Sequence, residues 1–306
     1  MHHQIYIKSL FSTMVVKISE VLELQLGHVK IRNIEELERK LNKLIDGGKD
    51  NLQVIADFDC TLTKQRVDNG NSIVSSFGMF SQCPSVPEKY KNDDKKLSDI
   101  YKPIEVDPTL SIETKTKHME EWYRLGNDIL KGFQFPAEEL KHVAKHVTEN
   151  LRDGVHEMLG KLNETKVPVL VFSAGLGDAV VAVLENSNNL TANVKVISNF
   201  LNIDENGTIC GLKGNIIHVF NKNETVIKGT EYYDMIKDRA NVILLGDSLG
   251  DASMADGVNT DAVIKIGFLY HNQEGNLPLY MEMFDIVLLD DQSVDIPRAI
   301  INLVLQ

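Results

Sequence analysis

Asp57 and Asp59, one residue apart, follow the apolar run Val54-Ile55-Ala56 and lead into Cys60, Thr61 and Thr63. Side chains of an extended chain alternate between faces, so the two carboxylates point the same way if that conformation continues past Phe58. Paired acids at the end of a buried strand are costly unless a cation or a raised pKa compensates. An acidic loop after a strand is the ordinary structural alternative, and it does not account for the whole apolar-run–Asp-x-Asp-x-Thr pattern. A second acidic pair stands in Gly246-Asp247-Ser248-Leu249-Gly250-Asp251. Oxygen ligands suit Mg²⁺, which keeps several waters and needs only one or two carboxylates plus a phosphate. Taken alone, the same residues would serve equally as a helix cap. Ser173 precedes Ala174-Gly175-Leu176-Gly177, a hydroxyl and backbone N–H groups that could cradle a phosphate or simply turn a strand into a helix. Lys213, in Gly211-Leu212-Lys213-Gly214, could neutralise phosphate charge, although isolated lysines are usually solvated. There is no Walker spacing, no Ser-His-Asp arrangement and no histidine ligand pair; His142 and His146 lie in a charged amphipathic stretch.

The elements that must position these residues show in the apolar pattern. Val167–Phe172 runs into Ser173, Asn241–Leu245 into Gly246 and Asp247, and Val194–Ile197 into Ser198; Ala262–Phe268 and Asp285–Leu289 complete the set. Short, near-continuous apolar strands alternating with helical patterns predict an α/β fold, a parallel sheet covered on both faces. Ligands of such sheets bind at the carboxyl ends of the strands, and three strands here end in small or acidic residues. Leu201–Ile203 and Thr208–Cys210 flank Asp204-Glu205-Asn206-Gly207, a hairpin signal. Between Lys64 and Gly154 the pattern changes to a turn-rich segment, Val67–Pro87, then helical stretches near 86–100, 112–130 and 136–150. The expected organisation is an N-terminal helical lead-in over residues 1–50, a core of 51–64 and 155–306, and an inserted, mainly helical cap over 65–154. Within the lead-in, Asn33-Ile34-Glu35-Glu36-Leu37 reads as a capped helix start.

Of the 306 residues, 43% are hydrophobic and 25% charged, enough apolar chain for a substantial core. The formal net charge of −12 argues against a nucleic-acid footprint, though not against a small phosphate ligand held by a local cation or backbone N–H groups. Cys60, Cys83 and Cys210 are few and widely spaced, which points to a reducing compartment without a disulfide framework or zinc site. Lys8, Lys17, Glu20 and Glu23 interrupt the stretch from Ile5 to Leu26, so it cannot span a membrane, and no cleavage signal follows it. The expectation is a cytoplasmic protein with a small-molecule substrate.

In this order the motifs resemble those of the haloacid dehalogenase superfamily: Asp57–Thr61 its first, Ser173 its second, Lys213 its third and Gly246–Asp251 its fourth. Ile104-Glu105-Val106-Asp107-Pro108, His118-Met119-Glu120-Glu121-Trp122-Tyr123, Val171–Asp178, Lys213–Lys222 and Met254–Val258 are further similar to the cytosolic 5′-nucleotidase III, or pyrimidine 5′-nucleotidase, family. The similarity runs from about Asn51 to the C-terminus. It implies a Rossmann-like core with a helical cap, and Mg²⁺-dependent hydrolysis of nucleoside 5′-monophosphates such as CMP, UMP or 7-methylguanosine monophosphate. By the same resemblance Asp57 is the nucleophile and Asp59 the general acid and base. The metal lies between Asp57, the Asp59 carbonyl and Asp247, with Asp251 orienting Asp247 or a metal-bound water. Ser173, the Ala174 N–H and Lys213 hold the phosphoryl group, and Glu105 contacts the base. Pyrimidine-preferring members carry a serine where this chain has Gly126, which leaves base preference open. The competing readings are another superfamily phosphatase, such as one acting on phosphoserine, and a non-catalytic nucleotide-binding protein; transfer of the phosphoryl group to a nucleoside would use the same residues.

Overall fold

A computed structural model describes residues 15–67, 70–257 and 259–306. The first part of the expected lead-in, residues 1–14, and Val258 of the Met254–Val258 segment lie outside the described residues. In chain order the elements are β1 (Val29–Ile31), α1 (Ile34–Gly47), β2 (Leu52–Ala56), α2 (Ser76–Gln82), α3 (Glu88–Val106), α4 (Ile112–Ile129), α5 (Ala137–Thr148), α6 (Val155–Glu164), β3 (Val169–Leu176), α7 (Gly177–Asn186), β4 (Val194–Asn199), β5 (Leu201–Ile203), β6 (Ile209–Leu212), α8 (Glu224–Ile227), α9 (Glu231–Ile236), β7 (Asn241–Gly246), β8 (Ala262–Leu269), α10 (Gln273–Met283), β9 (Ile286–Leu289) and α11 (Asp295–Val304).

Seven strands form one sheet in the order β1-β9-β8-β7-β2-β3-β4, parallel throughout except for β1. The α/β class and the parallel core are as the apolar runs imply. Alternation of side chains divides the interior into two cores, one per face. Val54 and Ala56 of β2 pack with the apolar sides of α1, α6, α7 and α11, whereas Ile55 packs with Tyr232 and Ile236 of α9 and with Phe284. All five residues of β2 are buried, which is why it reads as a continuous apolar run. α1 starts where its sequence signal puts it: the Asn33 side chain accepts the Glu36 N–H, and Leu37, Leu41 and Leu44 face the core. β5 and β6 form the separate hairpin.

The helices α2 to α5 fall between β2 and α6, and their segment enters and leaves the core at one place. Thr63 pairs with Leu151, Lys64 N–H donates to Asn150 O at 2.8 Å, and Arg152 N–H donates to Leu62 O at 2.9 Å. Two elements escaped the sequence patterns. β1 is three residues long, too short for alternation to show, and pairs antiparallel at the sheet edge. α2 lies inside the turn-rich segment; it holds together because Met79 and Phe80 are fully buried, with the Phe80 ring against Tyr90, Phe133 and Phe135. A helix this short draws its stability from packing more than from propensity.

Away from the site, buried Asp285 ties β9 to α1 and β8. Its Oδ1 accepts from Arg32 and Lys40 at 2.8 Å each, and its Oδ2 accepts the Lys265 N–H at 3.0 Å. Removing one member of such a cluster strands the others, so Asp285→Ala is expected to lower stability by about 2–4 kcal/mol in urea unfolding without altering the site.

Candidate active site

β7, β2 and β3 are neighbours in the sheet, and their carboxyl ends carry Asp247, Asp57 and Ser173 to one edge. The extended conformation does not continue past Phe58. The N–H groups of Thr61, Leu62 and Thr63 all turn back to Phe58 O, at 3.3, 3.0 and 3.1 Å. Asp57 and Asp59 nevertheless line the same cavity, of about 900 Å³. Cys60 holds a left-handed backbone, φ 63°, unusual for a non-glycine residue. Arg152, fully buried in the segment returning from the helices, secures that turn. Its Nε donates to Thr61 O at 2.7 Å, its Nη2 to Cys60 O at 2.6 Å and its Nη1 to Asp291 O. Its guanidinium lies 4.0 Å from the Phe268 ring centroid, and burial pushes its pKa down to about 10.

The charges of the site are concentrated. Carboxylate oxygens of Asp57, Asp247 and Asp251 lie within 4.8 Å of one another. Lys222, 2% exposed, donates from Nζ to Asp57 Oδ1 at 2.5 Å and to Asp251 Oδ1 at 2.8 Å. Burial pushes Asp57 up to about 7 against the opposing pull of Lys222, with the Asp251 charge adding to the rise. Asp247 is raised well above the usual carboxylate range, first by burial and then by the charges of Asp57 and Asp251. Asp251 is committed to its surroundings: its Oδ2 accepts the N–H groups of Asp247 and Ser248 at 3.2 and 3.0 Å and the Ser248 hydroxyl at 2.8 Å. Tyr280 O–H donates to the Asp247 carbonyl.

Two buried acids and the half-buried Asp247 with one lysine leave an excess of negative charge, and the donors are all hard oxygens. That combination fits a small divalent cation such as Mg²⁺. Ser173 is buried, and its Oγ accepts the Gly175 N–H at 3.0 Å, which leaves the hydroxyl proton free for a ligand.

Lys213 is not in this group. It is exposed and does not line the cavity, which corrects the expectation that it holds the phosphoryl group; the lysine the structure places beside the acids is Lys222. After Lys213 the chain folds into a compact turn. Asn221 donates from Nδ2 to Ile216 O at 2.9 Å and accepts the His218 N–H on Oδ1 at 2.8 Å. Asn199 grips the same turn through the N–H and carbonyl of Ile217, both at 2.8 Å. The turn carries Lys222 inward. A lysine between two asparagines gives no local sign of burial; the stretch that resembles the nucleotidases, Lys213–Lys222, does end on it.

The opposite wall of the cavity comes from α3 and α4. Glu105, Lys102, Trp122, Tyr123 and Gly126 line it, and a side chain at Gly126 would meet nothing within 4 Å. Burial raises the Glu105 carboxyl above its ordinary range, opposed by Lys102. Tyr101 stacks on Trp122 at 5.8 Å, and Tyr123 O–H donates to the Ala174 carbonyl at 2.9 Å, joining this wall to the β3 end.

Residues 60–305 match the family model described as pyrimidine 5′-nucleotidase (UMPH-1). The 7-methylguanosine phosphate-specific 5′-nucleotidase of Drosophila melanogaster is 43% identical over 291 residues, 94% of this chain and 91% of that protein. The chain belongs to the pyrimidine 5′-nucleotidase family. The 7-methylguanosine phosphate-specific 5′-nucleotidase of Homo sapiens is 32% identical over 94% of this chain and 95% of its own length. A crystal structure of cytosolic 5′-nucleotidase IIIB bound to cytidine superposes with a TM-score of 0.91 at 43% identity, covering 94% of this chain and 97% of that one. The family's named members are hydrolases of phosphomonoesters, and this nucleotidase is an enzyme of that class. A probable phosphoserine phosphatase of Vibrio cholerae, at TM-score 0.52 and 14% identity over 84% of this chain and 66% of that one, shares the fold. Among the described residues, no helix is long and apolar enough to cross a membrane.

The two lysines give opposite expectations in this nucleotidase. Lys222→Met removes the buried cation between two carboxylates and is expected to lower kcat on the order of 10²–10³-fold in a phosphate-release assay. Lys213→Ala is expected to stay within about twofold of the parent, as surface changes usually do.

Proposed function

We propose that this chain is a Mg²⁺-dependent 5′-nucleotidase that hydrolyses nucleoside 5′-monophosphates through an aspartyl-phosphate on Asp57. The observation that carries the reading is the Asp57–Lys222–Asp251 cluster at the sheet edge, facing an acidic and aromatic wall across one cavity. Helices α2 to α5 serve as the cap, closing over the nucleoside as lids do. The substrate class includes CMP, UMP and 7-methylguanosine monophosphate. One relative is named for 7-methylguanosine phosphate and one solved neighbour holds cytidine, and the open space at Gly126 leaves room for either base.

Asp57 attacks phosphorus in line with the departing ribose oxygen. The P–O5′ electron pair leaves with that oxygen, which takes a proton from Asp59. Asp59 then removes a proton from the water that attacks the acyl phosphate, and phosphate leaves as Asp57 is restored. The Ser173 hydroxyl, the Ala174 N–H and Lys222 Nζ hold the phosphoryl oxygens. Asp57, the Asp59 carbonyl and Asp247 would hold Mg²⁺, with Asp251 orienting Lys222 and the Asp247 backbone. The metal supplies charge neutralisation for the phosphoryl oxygens, the dominant requirement of this chemistry. Uncatalysed phosphate-monoester hydrolysis is slow enough that enhancements approach about 10²¹-fold. Glu105 holds the base from α3.

Two measurements test this. Asp57→Asn is expected to abolish phosphate release from CMP while the thermal melt is retained, and chelation followed by Mg²⁺ addition to the parent enzyme should switch activity off and on. Full activity in Asp57→Asn would sink the covalent route. Glu105→Ala is expected to lower nucleotide turnover at least about tenfold more than turnover of a small aryl phosphate, the scale of one lost hydrogen bond to a charged group. Equal losses would remove Glu105 from base recognition.

A further inference from the structure

The partners of Asp59 differ from those of the other acids in the site. Asp57 and Asp251 are held by the buried Lys222, which belongs to the core, whereas among the described residues every hydrogen bond to the Asp59 carboxylate comes from Ser76 of α2. Ser76 is completely buried. Its Oγ donates to Asp59 Oδ2 at 2.6 Å, and its N–H donates to Asp59 Oδ1 at 2.9 Å. With Asp59 ionised the Ser76 hydroxyl is the donor of that contact, and its Oγ in turn accepts the Leu176 N–H at 3.0 Å. The short O–H···O distance is that of a charge-assisted bond.

The joint has been given room. A Cβ at Gly175 would lie 1.9 Å from Ser76 Oγ and 2.8 Å from Asp59 Oδ2, so any side chain there would push the two apart. Three separate pieces of chain meet within this contact: the turn after β2, the end of β3, and the first residue of α2. The last belongs to the same helical segment whose later helices, α3 and α4, form the far wall of the cavity.

We propose that Ser76 is a positioning residue for protonation of the leaving group. It fixes the Asp59 carboxyl from the cap, so that proton delivery to the ribose oxygen depends on the cap being seated on the core. This rests on the assignment of Asp59 as the acid. One lone pair on each Asp59 oxygen is filled by Ser76, so the transferable proton is confined to a position Ser76 does not use. When the P–O bond breaks, its electron pair stays on the ester oxygen, the Asp59 proton moves there, and the carboxylate left behind is the form that the two Ser76 donors hold in place. A substrate whose recognition seats the cap thereby aims the acid as well.

The test separates aim from fold. Aryl phosphates of one shape and graded leaving-group acidity, from phenyl phosphate to 2,4-dinitrophenyl phosphate, need progressively less help from an acid. In kcat/KM, which covers the chemistry up to phosphoenzyme formation, Ser76→Ala is expected to lose about tenfold on phenyl phosphate and less than about twofold on the dinitrophenyl ester, a fraction of what a whole general acid contributes. Gly175→Ala, which presses on the same contact from the β3 side, should steepen the series likewise, so either variant that folds is informative. Asp59→Asn, the reference, should steepen it most. Uniform losses in both variants beside a steepened Asp59→Asn series overturn the inference and leave the acid assignment standing. A flat Asp59→Asn series overturns that assignment, and the inference with it.

Discussion

The contact on which this molecule depends is the buried ammonium of Lys222 between Asp57 and Asp251. Three carboxylates at the edge of one sheet repel one another, and removal from water strengthens that repulsion. A single lysine offsets part of it without filling the site, which leaves a deficit of positive charge suited to a cation and a cavity suited to a phosphate. The balance of charge is local, but the means are distant. Lys222 is brought in by a turn that Asn199 and Asn221 shape, and Asp251 by a hydrogen-bonded turn closed through Ser248.

Around that cluster the chain divides its tasks between strands and helices. β7, β2 and β3 fix the reactive groups because a parallel ladder holds neighbouring strand ends within a few ångströms of one another. Helices α3 and α4 present Glu105, Trp122 and Tyr123 from the other side. Two connecting segments and the Arg152 side chain join the helical segment to the sheet. Arg152 lies on one connection and donates to the carbonyls of Cys60 and Thr61 on the turn beside Asp57. Ser76 makes a second connection, straight to Asp59. The helical segment and the sheet edge are therefore joined at the turn that carries Asp57 and Asp59.

Asp57 and Asp59 illustrate how much a linear pattern conveys. Their spacing and the apolar run before them mark a reactive strand end, although the geometric reason differs from simple alternation. The strand stops at Ala56 and the chain turns at Phe58, and both carboxylates still reach the cavity because the turn is tight. Lys213 illustrates the opposite. Flanking glycines made it the conspicuous lysine, yet they leave it exposed, while Lys222 carries no local mark of its burial.

By itself, the order of residues determined what short range decides. Continuous apolar runs specify strands buried on both faces, acids and small residues at their ends specify where a ligand is held, and the Asn33 cap and the Leu37, Leu41, Leu44 stripe specify α1. Only the tertiary structure decided which cation meets Asp57, which arginine braces its turn and which serine hydrogen-bonds Asp59. Those partners lie 165, 92 and 17 residues apart in their respective pairs, Lys222 with Asp57, Arg152 with Cys60 and Ser76 with Asp59. Burial of a charged or polar side chain is a property of the surroundings that close over it, and a lysine, an arginine or a serine looks the same in sequence whether water or a carboxylate is waiting for it.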